Sequence, residues 1–262
     1  MRSIAYKTDL IRATYEGIVD EFEDYFVIRT PSRKGYLWGN YILIKKIEKD
    51  FDVQEWINIY KKEFANDNPW FLTFGFLDAK KVSDEIISEF QKHGLTLIKS
   101  ELLSCSDLKK PEATKIEITF REIIDDKDWD GWMEVHLDKN WQYSDDSGYG
   151  FHSQLLENNK NLVAKKFMRR FGAYADNKMV GELGIFHHSG IGRFDTVSTH
   201  QDYRRLRICS NLIYYTGKKI LNENAGSQLI IVADEDYFAK NIYKKLGFEL
   251  IEEKIGFQWY EK

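Results

Sequence analysis

The sequence predicts an α/β (α+β) fold built as two tandem mixed sheets that are flanked by helices. Its length of 262 residues suits two domains of ordinary size. Segments with strand-like and helix-like hydrophobic patterns alternate along the chain. Each half runs in the order strand, strand, helix, strand, helix, strand. An apolar content of 43% supplies enough material for packed cores, which excludes a disordered chain.

The first half contains four strand-like runs and three helical segments. Helical spacing marks Asp9 to Ile18 weakly, and it marks Val53 to Phe64 and Val82 to Phe90 clearly. Gly94 follows the third helix and can end it in a left-handed conformation. The strand-like runs are YFVIRT from Tyr25, LWGNYILI from Leu37, WFLTFGFL from Trp70 and LTLIKSELL from Leu95.

A polar stretch, DLKKPEATK at 107–115, separates the two patterned halves and contains Pro111. We therefore predict domains at 1-111 and 112-262. The halves also share an internal similarity, because FQKHGLTLI at 90–98 aligns with YKKLGFELI at 243–251. Lys, Gly, Leu and Ile coincide, and both stretches lead from the end of a helix into a late strand. The sequence therefore favours an internal duplication.

The second half repeats the alternation with more strands. Helices are predicted from Asp125, within SQLLENNKNLVAKKF, from Leu206 to Leu221, and around Ala239 to Leu246 with Gly247 at the end. The strand-like runs are KIEITFREI from Lys115, RRFGAYA from Arg169, MVGELGIFHH from Met179, IGRFDTVST from Ile191, SQLIIVA from Ser227 and FELIEEKIGFQWYE from Phe248.

Charge and composition exclude several classes of protein. The 38 basic and 42 acidic residues give a net charge of -4, which argues against general binding of nucleic acid. No apolar run approaches the roughly 20 residues of a membrane span, and we read no signal peptide at the start. Cys105 and Cys209 have no metal-ligand spacing, so we expect no metal site. We expect a cytoplasmic protein without membrane or nucleic-acid partners.

The stretch that carries chemistry is FDTVSTHQDYRRLRICSNLI, 194–213. A strand ends at Thr199, and Arg204, Arg205 and Arg207 crowd the start of an amphipathic helix. A helix N-terminus offers unpaired N–H groups and positive potential, and arginines add phosphate donors. This pattern is typical of a pyrophosphate site. A solvated basic surface is the alternative.

Two segments resemble the signatures of the GCN5-related N-acetyltransferase (GNAT) superfamily. VSTHQDYRRLRICSNLI resembles the acetyl-CoA motif, a valine-ended strand followed by Q/R-x-x-G-x-G/A. VADEDYFAKNIYKKLGFE resembles the second signature, which Ala239, Tyr243, Gly247 and Phe248 match. The resemblance covers roughly 115–262. It implies an acyl-CoA N-acyltransferase-like fold, acetyl-CoA as cosubstrate, and transfer to an amine of a small molecule or peptide by direct attack in a ternary complex.

The resemblance assigns roles residue by residue. Val197 would end the strand whose backbone binds the thioester carbonyl and pantetheine, and Tyr243 would protonate the leaving thiolate. Two positions depart from the family pattern: Arg207 replaces the motif glycine, and Asp236 replaces the asparagine of the second signature. The cofactor-binding residues that the resemblance implies are Val197, Arg204, Arg205, Leu206, Arg207, Ile208, Cys209, Asp236 and Ala239.

The amine also needs a base, because it is mostly protonated near neutral pH. Glu182 and Asp195 are acidic residues inside apolar strands, where an unpaired carboxylate is costly, so they are the two candidate bases. Either could instead be a satisfied strand residue. His187, His188 and His200 are weaker candidates.

The first half lacks the cationic pattern. The alignment of Gly94 with Gly247 puts FDVQEW at 51–56 where RRLRIC lies at 204–209, so a stretch with two carboxylates, Asp52 and Glu55, and a large ring takes the place of the stretch with three cations. Such a site would repel pyrophosphate, and we expect a degenerate half that does not bind CoA in the usual way. Trp38-Gly39-Asn40 could shape an acceptor pocket with Trp141 and Tyr143, or it could be a packed strand with a bulge at Gly39.

The sequence thus predicts an acetyl-CoA-dependent N-acetyltransferase in the second half. Two alternatives stay open. One is a tRNA-dependent aminoacyl transferase of similar tandem fold, which the acidic charge disfavours. The other is a non-catalytic CoA-binding or interaction protein, which Arg207 favours and Tyr243 disfavours.

Overall fold

A computed structural model of the chain describes residues 3–48, 50–67, 70–137, 146–235 and 238–261. Contacts divide the chain into two compact units. The first unit contains Met1–Leu102, Ala233–Tyr237 and Leu250–Lys262, and the second contains Leu103–Val232 and Phe238–Glu249. The division between domains 1-111 and 112-262 stays a prediction; the compact units change over near residue 102 and assign the last strand to the first unit.

The described residues form seven α-helices and eleven strands. The helices are α1 (Ile4–Glu16), α2 (Val53–Glu63), α3 (Asp84–Lys92), α4 (Asp126–His136), α5 (Asp146–Ala164), α6 (Ile208–Glu223) and α7 (Ala239–Lys245). The strands are β1 (Ile18–Glu21), β2 (Tyr25–Arg29), β3 (Tyr41–Ile44), β4 (Phe71–Phe76), β5 (Thr96–Cys105), β6 (Thr119–Glu122), β7 (Met168–Ala175), β8 (Lys178–His188), β9 (Ile191–Thr199), β10 (Gln228–Asp234) and β11 (Glu249–Tyr260). Together they confirm the predicted fold class of mixed sheets flanked by helices.

The sheet of the first unit has the strand order β1-β2-β3-β4-β11-β5. Strands β3 and β4 are parallel, whereas β1 with β2, β2 with β3, and β4 with β11 are antiparallel. The C-terminal strand enters this sheet because Phe257 lies opposite Phe74 and its ring stacks on Phe90, with ring centroids 4.1 Å apart. All three rings are buried, so the last strand completes the core of the first unit.

Residues 37–44 differ from the predicted strand. Only Tyr41–Ile44 is a strand, and Leu37–Gly39 is a 3₁₀ turn, so the predicted bulge at Gly39 is wrong. The cause is the buried side chain of Asn40. Its amide donates to the carbonyls of Arg33 and Tyr36, and its oxygen accepts from the backbone N–H of Thr30. A side chain that satisfies three backbone groups competes with strand pairing.

The sheet of the second unit has the order β10-β9-β8-β7-β6. Strands β9 and β10 are parallel, and the other pairs are antiparallel. Helices α4 and α6 both pack against β8. They lie on opposite faces, because Gly181 faces Ile208 of α6 while the next residue, Glu182, contacts His136 of α4. Within the described part of the chain, no helix has the length and apolar character that a membrane crossing requires.

Candidate active site

Strands β9 and β10 stop pairing with each other before β9 ends, in the second unit. Their parallel pairing covers Ile191–Arg193 with Gln228–Ile230, yet β9 continues to Thr199. The register of β9 against β8 shifts at Thr196, since Leu183 lies opposite Val197 and Gly184 lies opposite Asp195. Thr196 is the extra residue and has a φ of 36°. A bulge next to strands that diverge leaves backbone groups of β9 available to a ligand.

Helix α6 begins just beyond the end of β9. A 3₁₀ turn at Gln201–Tyr203 leads into the basic stretch, where Arg204 Nε donates to the carbonyl of Thr199 at 3.3 Å. Arg205 and Arg207 have φ values of 62° and 65°. Arg207 is the N-cap residue of α6, and among the described residues its side chain makes no capping hydrogen bond. The helix start is therefore a cationic site with N–H donors, which suits a phosphate.

Arg207 occupies the glycine position of the acetyl-CoA motif in the left-handed conformation that glycine adopts without cost. Its guanidinium pairs with the carboxylate of Glu112, and Nη1 donates to the carbonyl of Ala113 at 3.4 Å. Asn211 in the same helix turn donates to the carbonyl of Glu112 at 2.9 Å. The arginine side chain is thus directed toward residues 112–113, so the turn accommodates a large side chain at this position.

The other residues predicted to bind the cofactor lie around the same place. Val197 is half-buried on β9, Leu206 is half-buried with its carbonyl bound to the N–H of Lys115, and Ile208 is buried. Burial raises the pKa of the Cys209 thiol to about 12, so it acts as a small neutral side chain. Ala239 is buried at the start of α7. The prediction for Asp236 lies outside the described residues. The binding role of each stays a prediction.

Tyr243 lies on the short helix α7 of the second unit. It is 6% exposed, and its ring meets that of Phe248 edge-on at 6.3 Å. Gly247 ends the helix with a φ of 97°, as the sequence predicts. The catalytic acid role of Tyr243 stays a prediction.

A cluster of charged residues spans three strands and α4, and we call it the charge cluster: His136, Arg170, Glu182 and Asp195. Glu182 is fully buried, and its Oε2 accepts from Arg170 Nε at 3.0 Å and from Nη2 at 2.5 Å. Its Oε1 lies 2.7 Å from Nε2 of His136. Arg170 Nη1 lies 3.5 Å from Oδ2 of Asp195. Both candidate bases therefore contact the same guanidinium.

The two acids differ in what they can still do. Both oxygens of Glu182 already accept hydrogen bonds inside the core, so a proton from a substrate has no direct path to them. The side chain of Asp195 is 21% exposed and lies beside the bulge. A base must come within hydrogen-bond reach of its proton. The geometry therefore favours Asp195 over Glu182 as the base, and the role of each stays a prediction.

Sequence reasoning missed Arg170 and His136. Arg170 stands in the apolar run RRFGAYA, where a buried charge needs a partner. His136 follows Trp132 by four residues, which places both on the core face of α4, and the rings stack at 3.9 Å. A search for charged residues at core positions could have found both.

The weaker candidates have structural contacts. Nε2 of His187 lies 3.0 Å from Oγ of Ser227, and burial lowers the pKa of this histidine. His200 caps the 3₁₀ turn, because Nδ1 accepts from the N–H of Asp202. Trp38 packs edge-on against Tyr41 within the first unit. Trp141 and Tyr143 lie outside the described residues.

The first unit has an acidic residue at the corresponding helix start. Asp52 is the N-cap of α2, and its carboxylate accepts from the N–H of Gln54 at 2.8 Å. A carboxylate that caps the helix satisfies the donor groups that a phosphate would need. That the first half does not bind CoA in the usual way stays a prediction.

Known proteins share a domain profile and a fold with this chain. A family profile described as an acetyltransferase (GNAT) domain matches residues 142–261. A functionally unknown conserved protein from Staphylococcus epidermidis has a similar structure, with a TM-score of 0.78 and 17% identity over 94% of this chain and 95% of that chain. No curated protein sequence matches the chain.

Two further solved structures share the fold. A GCN5-related N-acetyltransferase from Kribbella flavida has a TM-score of 0.67 at 15% identity, covering 98% of this chain and 96% of that chain. A tandem GNAT protein from the clavulanic acid biosynthesis pathway has a TM-score of 0.56 at 10% identity, covering 96% and 87%. Residues 142–261 therefore match an acetyltransferase (GNAT) domain, and the chain shares the fold of solved GNAT structures, one of which is a tandem GNAT protein.

Proposed function

We propose that the chain is an N-acetyltransferase that uses acetyl-CoA and acetylates an amine of a small molecule or peptide. One observation carries the proposal: strand β9 bulges at Thr196 and parts from β10 directly before the cationic start of α6. The parting exposes backbone donors to an acyl group, and the helix start offers donors to a diphosphate. Both groups belong to one molecule of acetyl-CoA.

The residues present fit that ligand. Arg204 and Arg205 are exposed and cationic, and the left-handed backbone at Arg205 and Arg207 turns the chain into α6. Successive N–H groups in such a turn form an anion-binding concavity. Arg204, Arg205 and the backbone of 206–209 would hold the diphosphate. Val197 would hold the pantetheine arm through its backbone.

The chemical roles follow from position. Acetyl-CoA supplies an acyl thioester that an amine can attack. A backbone N–H at the bulge of β9 acts as a fixed dipole toward negative charge on the acyl oxygen. Asp195 accepts the proton of the amine, and Tyr243 donates a proton to the thiolate.

The test is binding of acetyl-CoA followed by measurement of thiol release. A ligand that binds only the folded state stabilises it by RT ln(1 + [L]/Kd), about 2.7 kcal/mol at a hundredfold excess over Kd. Arg204→Ala and Arg205→Ala should reduce the shift in melting temperature, and added salt should reduce it further. Lys127→Ala, in the first turn of α4, removes an exposed charge elsewhere in the same unit and is the control.

Three outcomes distinguish the candidate functions. Binding with thiol release on a panel of primary amines supports the acetyltransferase. Binding without thiol release on any amine would favour a CoA-binding protein that has lost turnover. A melting temperature that does not change in millimolar acetyl-CoA would overturn the proposal, and transfer from charged tRNA would then be the next assay.

A further inference from the structure

Arg170 is a fully buried charged residue that contacts two acidic side chains. The guanidinium is 0% exposed, and it reaches Glu182 on β8 and Asp195 on β9 from its own strand β7. Burying a charge is costly, and an apolar replacement of a buried ion pair is often as stable as the pair. Packing alone therefore does not explain why an arginine stands here.

Gly184 lets Arg170 cross strand β8. In the register, Gly184 lies directly opposite Arg170 on one side and Asp195 on the other. A Cβ added at Gly184 would lie 3.1 Å from Nη1 of Arg170 and 3.3 Å from Cζ. The missing side chain is the space through which the guanidinium passes to reach Asp195. Arg170, Gly184 and Asp195 thus lie side by side on three adjacent strands, and Asp195 is the member nearest to solvent.

Glu182 and His136, also in the charge cluster, fix the guanidinium on the side away from Asp195. Glu182 binds Nε and Nη2, and its second oxygen contacts His136. The ring of Trp132 stacks on His136 and lies 5.6 Å from Cζ of Arg170. A side chain that is fixed at both of these nitrogens presents its third, Nη1, in one direction. That direction is toward Asp195.

We infer that Arg170 is a positioning residue that fixes the carboxylate of Asp195 for the acceptor amine, with Glu182 and His136 holding Arg170. The inference rests on the proposed function. In the transfer, the amine nitrogen forms a bond to the acetyl carbon while the bond from that carbon to sulfur breaks. Asp195 takes the proton that the nitrogen loses, and the sulfur takes a proton from Tyr243. Correct placement of Asp195 is worth a large factor in rate, because misplacement by about 1 Å can cost about 100-fold.

The test compares two glycine substitutions in the second unit. Gly184→Ala places a methyl group against Arg170 without removing any charge, and its backbone conformation is open to alanine. Gly192→Ala on β9 is a matched control, since its Cβ would lie 3.0 Å from Leu229 and 3.3 Å from Ile220, on the side of α6. Both added methyl groups would lie 3.0 to 3.3 Å from neighbouring side chains, but only the first touches the charge cluster.

Gly184→Ala should lower kcat for a primary amine by up to about 100-fold while leaving the Kd of acetyl-CoA unchanged. Gly192→Ala should leave both unchanged. Arg170→Lys keeps the charge and loses the fork, so it should lower kcat as Gly184→Ala does. Without any ligand, the side-chain carboxyl ¹³C resonance of Asp195 should move in Gly184→Ala and stay in place in Gly192→Ala.

Several results would overturn the inference. Equal kcat in both glycine variants and the unmodified chain would make Arg170 a residue of the core only. An Asp195 resonance that is the same in Gly184→Ala as in the unmodified chain would break the link between the two residues. Absence of turnover by the unmodified chain with every amine is a different result, because it overturns the proposed function and the inference falls with it.

Discussion

Arg207 points its guanidinium at Glu112 while its backbone adopts the left-handed conformation that starts helix α6. The acetyl-CoA motif places a glycine at this position. Glycine is small, and its backbone adopts the left-handed conformation without steric cost. The pairing with Glu112 turns the side chain toward 112–113. The turn therefore keeps the backbone conformation of the motif although the residue is large.

Arg207→Gly tests this reading of the motif. The substitution relieves roughly 1–2 kcal/mol of strain in the left-handed conformation. It also removes a surface ion pair and raises the conformational entropy of the unfolded chain. We expect a small net change in melting temperature and no loss of acetyl-CoA affinity. Glu112→Gln, which breaks the same ion pair and leaves the turn intact, is the control. Much weaker binding by Arg207→Gly alone would mean that the guanidinium itself binds the cofactor.

The two acids of the charge cluster should respond differently to amidation. Asp195→Asn should lower kcat by roughly 10²- to 10⁴-fold, the usual worth of a positioned base, with little change in stability. Glu182→Gln leaves Arg170 without a full partner in the core, so it should cost about 3 kcal/mol of unfolding free energy. Denaturant unfolding and kcat on both variants check this. If Glu182→Gln were stable but inactive and Asp195→Asn were active, Glu182 would be the base and Asp195 the structural residue.

His152 should make the protein less stable in mild acid. It is 1% exposed on α5, and burial together with the nearby charge of His136 lowers its pKa from 6.5 to about 4. Between these pH values the unfolded chain binds a proton that the folded chain does not, so stability falls as the pH drops from 6.5 to 4. His152→Gln should flatten this part of a plot of melting temperature against pH.

Above pH 6.5 the slopes of the His152→Gln variant and the unmodified chain should coincide, because the histidine is then neutral in both states. Parallel curves down to pH 4 would show that His152 does not titrate differently in the folded protein.

Tyr243→Phe separates an acid from a core ring. The change removes one hydroxyl and keeps the aromatic packing against Phe248, so acetyl-CoA binding and folding should change little. Turnover should fall by roughly 10²- to 10⁴-fold if Tyr243 protonates the thiolate. Tyr215→Phe removes a hydroxyl from an exposed tyrosine on α6 and serves as control. A lower melting temperature with intact acetyl transfer, measured before the steady state, would assign Tyr243 to packing.

Local signals were sufficient for most elements. Phe90 and Tyr243 stand at the ends of two helices whose apolar spacing and following glycines are visible in the sequence, and Gly94 and Gly247 have the predicted positive φ. Periodicity and caps depend on residues within a few positions of each other, so a single sequence contains them. The same signals located the basic turn before α6.

Long-range partners could not be found in this way. The pairing of Phe257 with Phe74 joins residues that are far apart in the chain, and nothing local marks it. The turn at Leu37–Gly39 depends on which carbonyls the Asn40 amide reaches. Likewise, Glu182 was visible as an acid in an apolar strand, but its contacts with Arg170 and His136 exist only once three elements have packed.

Isothermal titration of the full chain with acetyl-CoA tests the central claim most directly. The second unit has a cationic helix start at Arg204 to Arg207, whereas Asp52 caps the corresponding helix of the first unit with its own carboxylate. The account predicts saturable binding with one acetyl-CoA per chain. Two equivalent sites, or no binding at all, would contradict it.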